Sequence, residues 1–464
     1  MKLTNMKRSI KWIVLAIIVL LAGILLVQAI REYTGTDTAM NKFLQSKNAI
    51  ILIILSIAIP VLLITLFVIL VGMKSEMPNV TLLQNGVTQS NIAKQSAKDE
   101  VKEEPAERFC MLSEIERKKD RYRTSGYDES LTLDVLCENF RNYAASKLRL
   151  YYDIADIRRF VAGMAVSHVI ILQGMSGTGK TSLAHAFGSF IDNSSTIIPV
   201  QPMWKERTDL IGYYNEFTKK FNETLLLEKM YEANYSADMY ITVLDELNIA
   251  RVEYYFAEFL SLLELPDPEE RYIDVVSDRW ETDPAQLKDG RIKLPANMWF
   301  IGTANNDDST FAISDKVYDR AMILDLDTKC ERFIAPRTEK THISAKQFEG
   351  LVREATEEYE ISARNKKRLE ELDKYLIDHF HITFGNRIMK QINMYIPVYI
   401  SCGGDELDAL DDILSKKVIR KLETQNPIYL RNAAEGLVSY LNELFGTDKM
   451  LLCKEHIKKL QRNA

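Results

Sequence analysis

The stretch ILQGMSGTGKTSLAHAF, residues 171–187, joins an apolar run to a glycine-rich turn and then to an amphipathic run. HVIILQ (168–173) is short, β-branched and closed by glycine, which is the pattern of a buried strand. Gly174 to Thr181 then fits G-x-x-x-x-G-K-[ST]. Each part has a chemical reason. The glycines let successive backbone N–H groups turn toward a phosphate, and the following helix N-terminus adds positive potential. Lys180 reaches the outer phosphates of a nucleotide, and the Thr181 hydroxyl binds Mg²⁺. The phosphate-binding set read from the sequence is Gly174, Met175, Ser176, Gly177, Thr178, Gly179, Lys180, Thr181 and Ser182.

Such a loop needs an acidic partner on a neighbouring strand. MYITVLDELN (239–248) supplies one, an apolar run that ends in Asp245-Glu246. Asp245 is assigned to Mg²⁺ and Glu246 to the attacking water. Adjacent side chains on an extended strand point to opposite sides, which would let the two carboxylates divide these roles. MWFIGTANNDDS (298–309) is again a strand followed by polar residues, with Asn305 at its tip. Asn305 either bonds the γ-phosphate or the attacking water, or closes an Asx-turn. STIIPVQP (195–202) and AMILDL (321–326) complete five apolar strands separated by helical stretches. The fold class is therefore α/β, a parallel five-stranded sheet with nucleotide at the carboxyl ends of its strands.

In order, GMSGTGKTS, RTDLIGYYN (207–215), LDELNIA (244–250), FAEFLSLLE (256–264), GTANNDD (302–308) and SDKVYDRA (314–321) resemble the AAA+ ATPases. They look most like the dynein-related branch that includes MoxR, midasin and McrB-type proteins. The resemblance spans residues 153–396, about half the chain. It implies ATP and Mg²⁺ as ligands, a homo-oligomer (a hexameric ring) and a polar sensor at Asn305. It implies a catalytic role for Arg320 as an arginine finger facing a neighbouring subunit, where it would stabilise transition-state charge. The family usually shows two or three adjacent arginines there, whereas this chain has one preceded by Asp319, so a salt bridge is the rival reading and Arg332 and Arg337 are alternates. TFGNRIMKQI (383–392) resembles the sensor-2 segment of the helical lid, with Arg387 as the γ-phosphate contact. Family members often carry a β-hairpin insert where residues 271–293 stand here, as a surface that handles a client.

Upstream, residues 12–30 and 49–72 are uncharged and apolar, and as helices they would measure roughly 28 and 36 Å. They read as two transmembrane helices, the second bearing Pro60. Lys2, Lys7, Arg8 and Lys11 precede the first, so the positive-inside rule puts the N-terminus and everything after Gly72 in the cytosol of a cell-membrane protein. The organisation expected is a membrane anchor over 1–82, a flexible linker over 83–107 and a helical lead-in over 108–152. An AAA+ α/β domain over 153–335 and a helical lid with a C-terminal helical subdomain over 336–464 follow. In DELDALDDILSKKVIRKLE, near the C-terminus, the charges are expected on a solvated face.

The chain has 464 residues, five scattered cysteines with no CxxC pair, and a net charge of −6. This composition argues against a disulfide framework, a zinc site or an overall basic footprint for nucleic acid. His379 and His381 have no third ligand nearby and read as packing residues. The function expected is a membrane-anchored ATP hydrolase that remodels a protein client. The alternatives are a McrB-like GTP- or ATP-dependent motor acting with a nuclease, and a non-hydrolytic nucleotide switch.

Overall fold

The computed structural model describes residues 107–305, 310–327 and 330–463. Both expected spans and nearly all of the linker lie outside these residues. No helix among the described residues is long and apolar enough to cross a membrane.

The strands are β1 (Val169–Gly174), β2 (Thr196–Pro199), β3 (Gly212–Asn215), β4 (Lys220–Glu223), β5 (Tyr240–Asp245), β6 (Tyr272–Asp274), β7 (Arg291–Lys293), β8 (Met298–Asn305) and β9 (Met322–Asp325). The longer helices are α1 (Leu133–Leu148), α2 (Ile154–Val166), α3 (Lys180–Phe190), α4 (Leu225–Ala233), α5 (Ala345–Glu358), α6 (Ala363–Phe380), α7 (Gly385–Ser401), α8 (Glu406–Lys417), α9 (Pro427–Phe445) and α10 (Leu451–Asn463). Shorter turns are named by range. Among the described residues β2, β5, β8, β1 and β9 form a sheet in that order, every pair parallel. All five strands read from the sequence are in it.

Side-chain alternation explains why these runs are apolar throughout. Ile170, Leu172, Ile241, Val243, Trp299 and Ile301 enter one core, shared with α1, α2, α3 and the C-terminal helices. Val169, Ile171, Tyr240, Leu244, Met298 and Phe300 enter a second core on the other face. Parallel strands covered on both faces have no solvated side to make polar. Helix starts are set locally: Asp153, Thr224, Ser344, Ser362, Asp405 and Asn426 each accept a backbone N–H in the first turn of the helix that follows.

The lead-in is clamped to the α/β core by one arginine. Arg108 Nε donates to Asp283 Oδ1 at 2.7 Å and Nη2 to Asp283 Oδ2 at 2.6 Å, with the side chain 1% exposed. Its guanidinium lies 4.4 Å from the Trp280 ring centroid. Phe221 N–H, on β4, donates to Arg108 O at 2.8 Å. The Glu223 carboxylate accepts from the N–H groups of Cys110, Met111 and Leu112, which open the helical turn Met111–Arg117. A carboxylate there satisfies donors that the helix leaves unpaired.

Two hairpins project from the α/β domain. The expected insert forms, with β6 and β7 antiparallel, but its connecting loop is packed down. Leu287 in that loop is fully buried and Asp283 is taken by Arg108. The other hairpin, β3–β4, carries the fully exposed Phe217 at its tip.

The C-terminal helices depart from expectation at α8. The charges here are expected mostly on a solvated face, but Asp411, Asp412, Lys416 and Lys417 are all buried. Asp411 caps α10 through the N–H groups of Leu452 and Cys453. Asp412 accepts from Tyr395 Oη at 2.6 Å and pairs with Arg159 at 3.3 Å. Burial pushes the Asp412 carboxyl up to about 6. A buried ion needs such partners, and here they come from the preceding helix α7 and from the distant α2.

Candidate active site

The turn after β1 is built by glycines in conformations other residues avoid. Gly174, Gly177 and Gly179 have φ of 140°, 79° and 93°. At Gly174 there is also no room, because a Cβ would stand 2.6 Å from the Leu326 carbonyl oxygen. Lys180 opens α3 and is buried. Its Nζ folds back over the loop and donates to Gly174 O at 2.9 Å and Met175 O at 2.7 Å. Met175 and Ser176 are exposed on the loop, Thr178 Oγ1 donates to Met175 O at 3.0 Å, and Ser182 lies in the first turn of α3.

β5 delivers the carboxylates. Asp245 Oδ1 accepts from both Thr181 Oγ1 and Thr303 Oγ1, each at 2.8 Å. The Thr303 hydroxyl in turn accepts from Glu246 N–H at 2.8 Å. Thr303 was not singled out in the sequence, though it lies inside GTANN. The signal available was its place on an apolar strand, two residues before Asn305. The two carboxylates are separated by a different device from strand alternation. The strand ends at Asp245, and Glu246 has φ 54° and ψ 47°, a left-handed turn that is costly for a non-glycine residue. Glu246 is thereby exposed while Asp245 is half-buried.

The end of β8 is fixed beside the loop. Asn305 is in register with Gly174 across the β1–β8 pair. Asn248 Nδ2 donates to Asn305 O at 2.9 Å and to Phe311 O at 3.2 Å, closing the segment on either side of residues 306–309. Gly302 keeps β8 close to the Glu246 turn, since a Cβ there would stand 2.6 Å from Leu247 Cδ1. Lys180, Thr181, Asp245, Glu246 and Asn305 thus converge at one end of the sheet.

A cavity of about 370 Å³ opens beside the loop, lined by Gly177, Thr178, Gly179, Arg149, Tyr152, Asp153 and Arg332 among others. Tyr152 Oη donates to Gly179 O at 3.2 Å, bracing the end of the turn. Burial raises its phenol above the ordinary range, so it stays protonated. The sequence reading missed this wall, and it placed Arg332 among the alternates for a finger. Arg332 lines the same cavity as its own chain's loop, and Arg337 is exposed and paired with Glu339.

Arg320 and Arg387 lie elsewhere. Met322 is in register with Ile170, which puts Arg320 level with His168, six strand residues or about 20 Å from Gly174. Ser167 Oγ donates to Arg320 O at 2.9 Å, in keeping with that end of the sheet. Arg387 does not stand beside the loop as the resemblance implied. Its Nη2 pairs with Glu264 Oε1 at 2.8 Å, while Arg320 Nε takes Glu264 Oε2 at 2.8 Å. The reason is the docking of α7. Gln391, one turn beyond Arg387, donates to Asp319 O at 3.1 Å and holds that stretch of the helix over the Arg320 turn.

Residues 169–321 match the family model of the AAA domain, dynein-related subfamily. Residues 338–464 match a domain of unknown function, DUF8727. No curated protein matches the chain. Among solved structures, "a putative ATPase" from Cytophaga hutchinsonii is 15% identical with a TM-score of 0.45, covering 71% of this chain and 98% of that one. A full-length MCM homolog from Methanopyrus kandleri is 12% identical with a TM-score of 0.32, covering 63% of this chain and 56% of that one.

Proposed function

We propose that the protein is an AAA+-type ATP hydrolase whose active site is completed by a neighbouring copy of the chain. The observation that carries this reading is the arrangement around Asp245, with the hydroxyls of Thr181 and Thr303 on one oxygen and Glu246 turned out beside it. The match of residues 169–321 to the AAA domain supports it. The loop of residues 174–181 would hold the phosphates of ATP, with Lys180 moving from the loop carbonyls to the β- and γ-oxygens. Thr181 and Asp245 place a hydroxyl and a carboxylate within hydrogen-bond reach of each other, a hard oxygen donor set that fits Mg²⁺. When bound, Mg²⁺ supplies charge neutralisation at the β- and γ-phosphates.

Glu246 accepts a proton from the water that attacks the γ-phosphate, and its exposure leaves room for that water. Asn305, at the tip of the adjacent strand, orients the water or the γ-phosphate. Arg320 lies too far along the sheet to reach phosphates on its own chain's loop, so its catalytic use requires a second subunit. Arg387, on the same carboxylate, belongs to that face as well.

The N-terminal apolar segments 12–30 and 49–72 support a membrane anchor with the ATPase on the cytosolic side. Remodelling of a protein client beside that membrane is the use this arrangement suits, and Phe217 at an exposed hairpin tip offers it an apolar contact.

The test is steady-state turnover of the full-length chain with and without Glu246→Gln. We expect a loss of about 100-fold or more in kcat with affinity for a fluorescent ATP analogue retained. Equal turnover would refute the catalytic assignment. A clear preference of GTP over ATP in competition with the analogue would instead support the motor reading.

A further inference from the structure

We propose that Lys417 is a positioning residue for Arg320, through which the C-terminal helical domain presents that arginine to the neighbouring subunit. The inference rests on the trans role of Arg320 proposed above.

The charges of α8 were expected in solvent, yet Lys417, its last residue, is buried. Its Nζ donates to Tyr318 O at 2.6 Å and to Ala321 O. These two carbonyls flank Arg320. Tyr318 ends the helical turn Asp315–Tyr318, and a cation suits the carbonyl at the end of such a turn.

The remaining groups of the turn are gripped in the same way. Gln391 on α7 donates to Asp319 O at 3.1 Å. Arg420, in the turn Ile419–Thr424, lies 3.5 Å from the Tyr318 ring centroid and pairs with Asp315. The carbonyls of Tyr318, Asp319 and Ala321 therefore all bond side chains of the C-terminal domain, and Arg320 O bonds Ser167. The guanidinium shares Glu264 with Arg387 of α7. Burying a lysine is costly, and burial pulls its ammonium down to about 7. What the buried lysine supplies is a fixed direction for Asp319 and Arg320, the two residues between its carbonyls.

The turn is also joined to its own chain's phosphate loop. Tyr318 Oη donates to Gln173 Oε1 at 3.0 Å, and Gln173 directly precedes Gly174. Gln173 Nε2 donates to Asp325 Oδ1 at 2.6 Å, and Asp325 takes Lys416. Neighbouring lysines of one helix thus hold the Arg320 turn and the strand beside the loop. A shift of the C-terminal domain moves both.

The experiment measures ATP turnover and nucleotide affinity for full-length wild type, Lys417→Met, Arg320→Ala, the double variant and Gln391→Leu. Each is also mixed with Glu246→Gln, whose own site is inactive but whose Arg320 is intact. Lys417→Met should lower kcat about ten-fold or more while leaving KM within about two-fold, because Arg320 acts on transition-state charge and the loop that binds nucleotide is unchanged. Mixing with Glu246→Gln should restore turnover to the Lys417→Met subunits, as it does to Arg320→Ala. The double variant should be no slower than Arg320→Ala, and Gln391→Leu should show a smaller loss with the same rescue.

Full turnover in Lys417→Met while Arg320→Ala is slow would overturn the proposal. So would a loss that mixing does not rescue. If Lys417→Met fails to fold, Gln391→Leu decides by the same criteria. Unchanged turnover in Glu246→Gln refutes the hydrolase reading. Unchanged turnover in Arg320→Ala refutes the trans reading, and the present proposal with it. A rescued Arg320→Ala beside an unrescued Lys417→Met overturns this proposal alone.

Discussion

Arg320 rests on Glu264, Nε to Oε2 at 2.8 Å, with both side chains about 30% exposed. The guanidinium is therefore engaged within its own chain and must leave Glu264 to meet a neighbour's phosphate. A half-exposed pair of this kind is worth about 1 kcal/mol. Glu264→Gln weakens the grip without changing the shape of the side chain. Turnover should rise about two- to five-fold under conditions where assembly is complete. A fall in turnover would show that Glu264 guides the arginine instead of restraining it.

Thr303 bridges Asp245 and the Glu246 backbone through a single hydroxyl. Thr303→Val keeps the branched shape and removes both bonds. Each such bond to a charged or catalytic group contributes about 1–3 kcal/mol, so kcat should fall about ten- to hundred-fold. Nucleotide affinity should change little, since the phosphate loop is untouched. Turnover of the variant against the fluorescent analogue's dissociation constant measures the split.

Gly174→Ala would combine a left-handed conformation with a Cβ 2.6 Å from a backbone oxygen. The Leu326 carbonyl cannot swing aside as a side-chain tip would. Strain of this kind costs about 1–3 kcal/mol, and it falls on the loop that holds the phosphates. Analogue binding should weaken about ten-fold or more. Unaltered binding would show that the loop's first glycine is dispensable.

His168 stacks on Trp299, ring centroids 4.9 Å apart, with Nε2 at 3.0 Å from Ala296 O. Burial lowers its imidazole to about 4. Between pH 6.5 and 4 the unfolded chain takes up a proton that the folded chain refuses, so stability falls as pH falls through this window. The loss between pH 7 and pH 5 amounts to about 2 kcal/mol. His168→Phe keeps the stack and abolishes the titration, so its urea midpoint should shift less between these pH values than the wild type's. Asp412 titrates in the opposite sense between about pH 4 and 6, and it does so in both chains.

The sheet and the phosphate loop were legible because their signals are local. VIIL and YITV are short, β-branched apolar runs of the kind buried strands carry, and the run Gly174–Thr181 fits a phosphate loop. Asp245 followed from its place after such a strand. The strand alternation expected to separate Glu246 from Asp245 is not the geometry found, since Glu246 has a left-handed φ in the turn Leu247–Ile249, held by Thr303 across the sheet. The charges of α8 were not legible. A buried lysine looks like a solvated one in sequence, and the partners of Lys416 and Lys417 lie between 91 and 99 residues earlier. Arg387 was misplaced for the same reason, because its position depends on how α7 docks and not on the residues around it.

The clamp at Arg108 has a mechanical consequence. Any tension carried by the preceding chain arrives first at a buried guanidinium. From there it divides between the loop of Trp280 and Asp283 and the edge of β4 at Phe221. The anchor is therefore shared by both hairpins, and Phe109, the next residue, ties it to the core under the sheet.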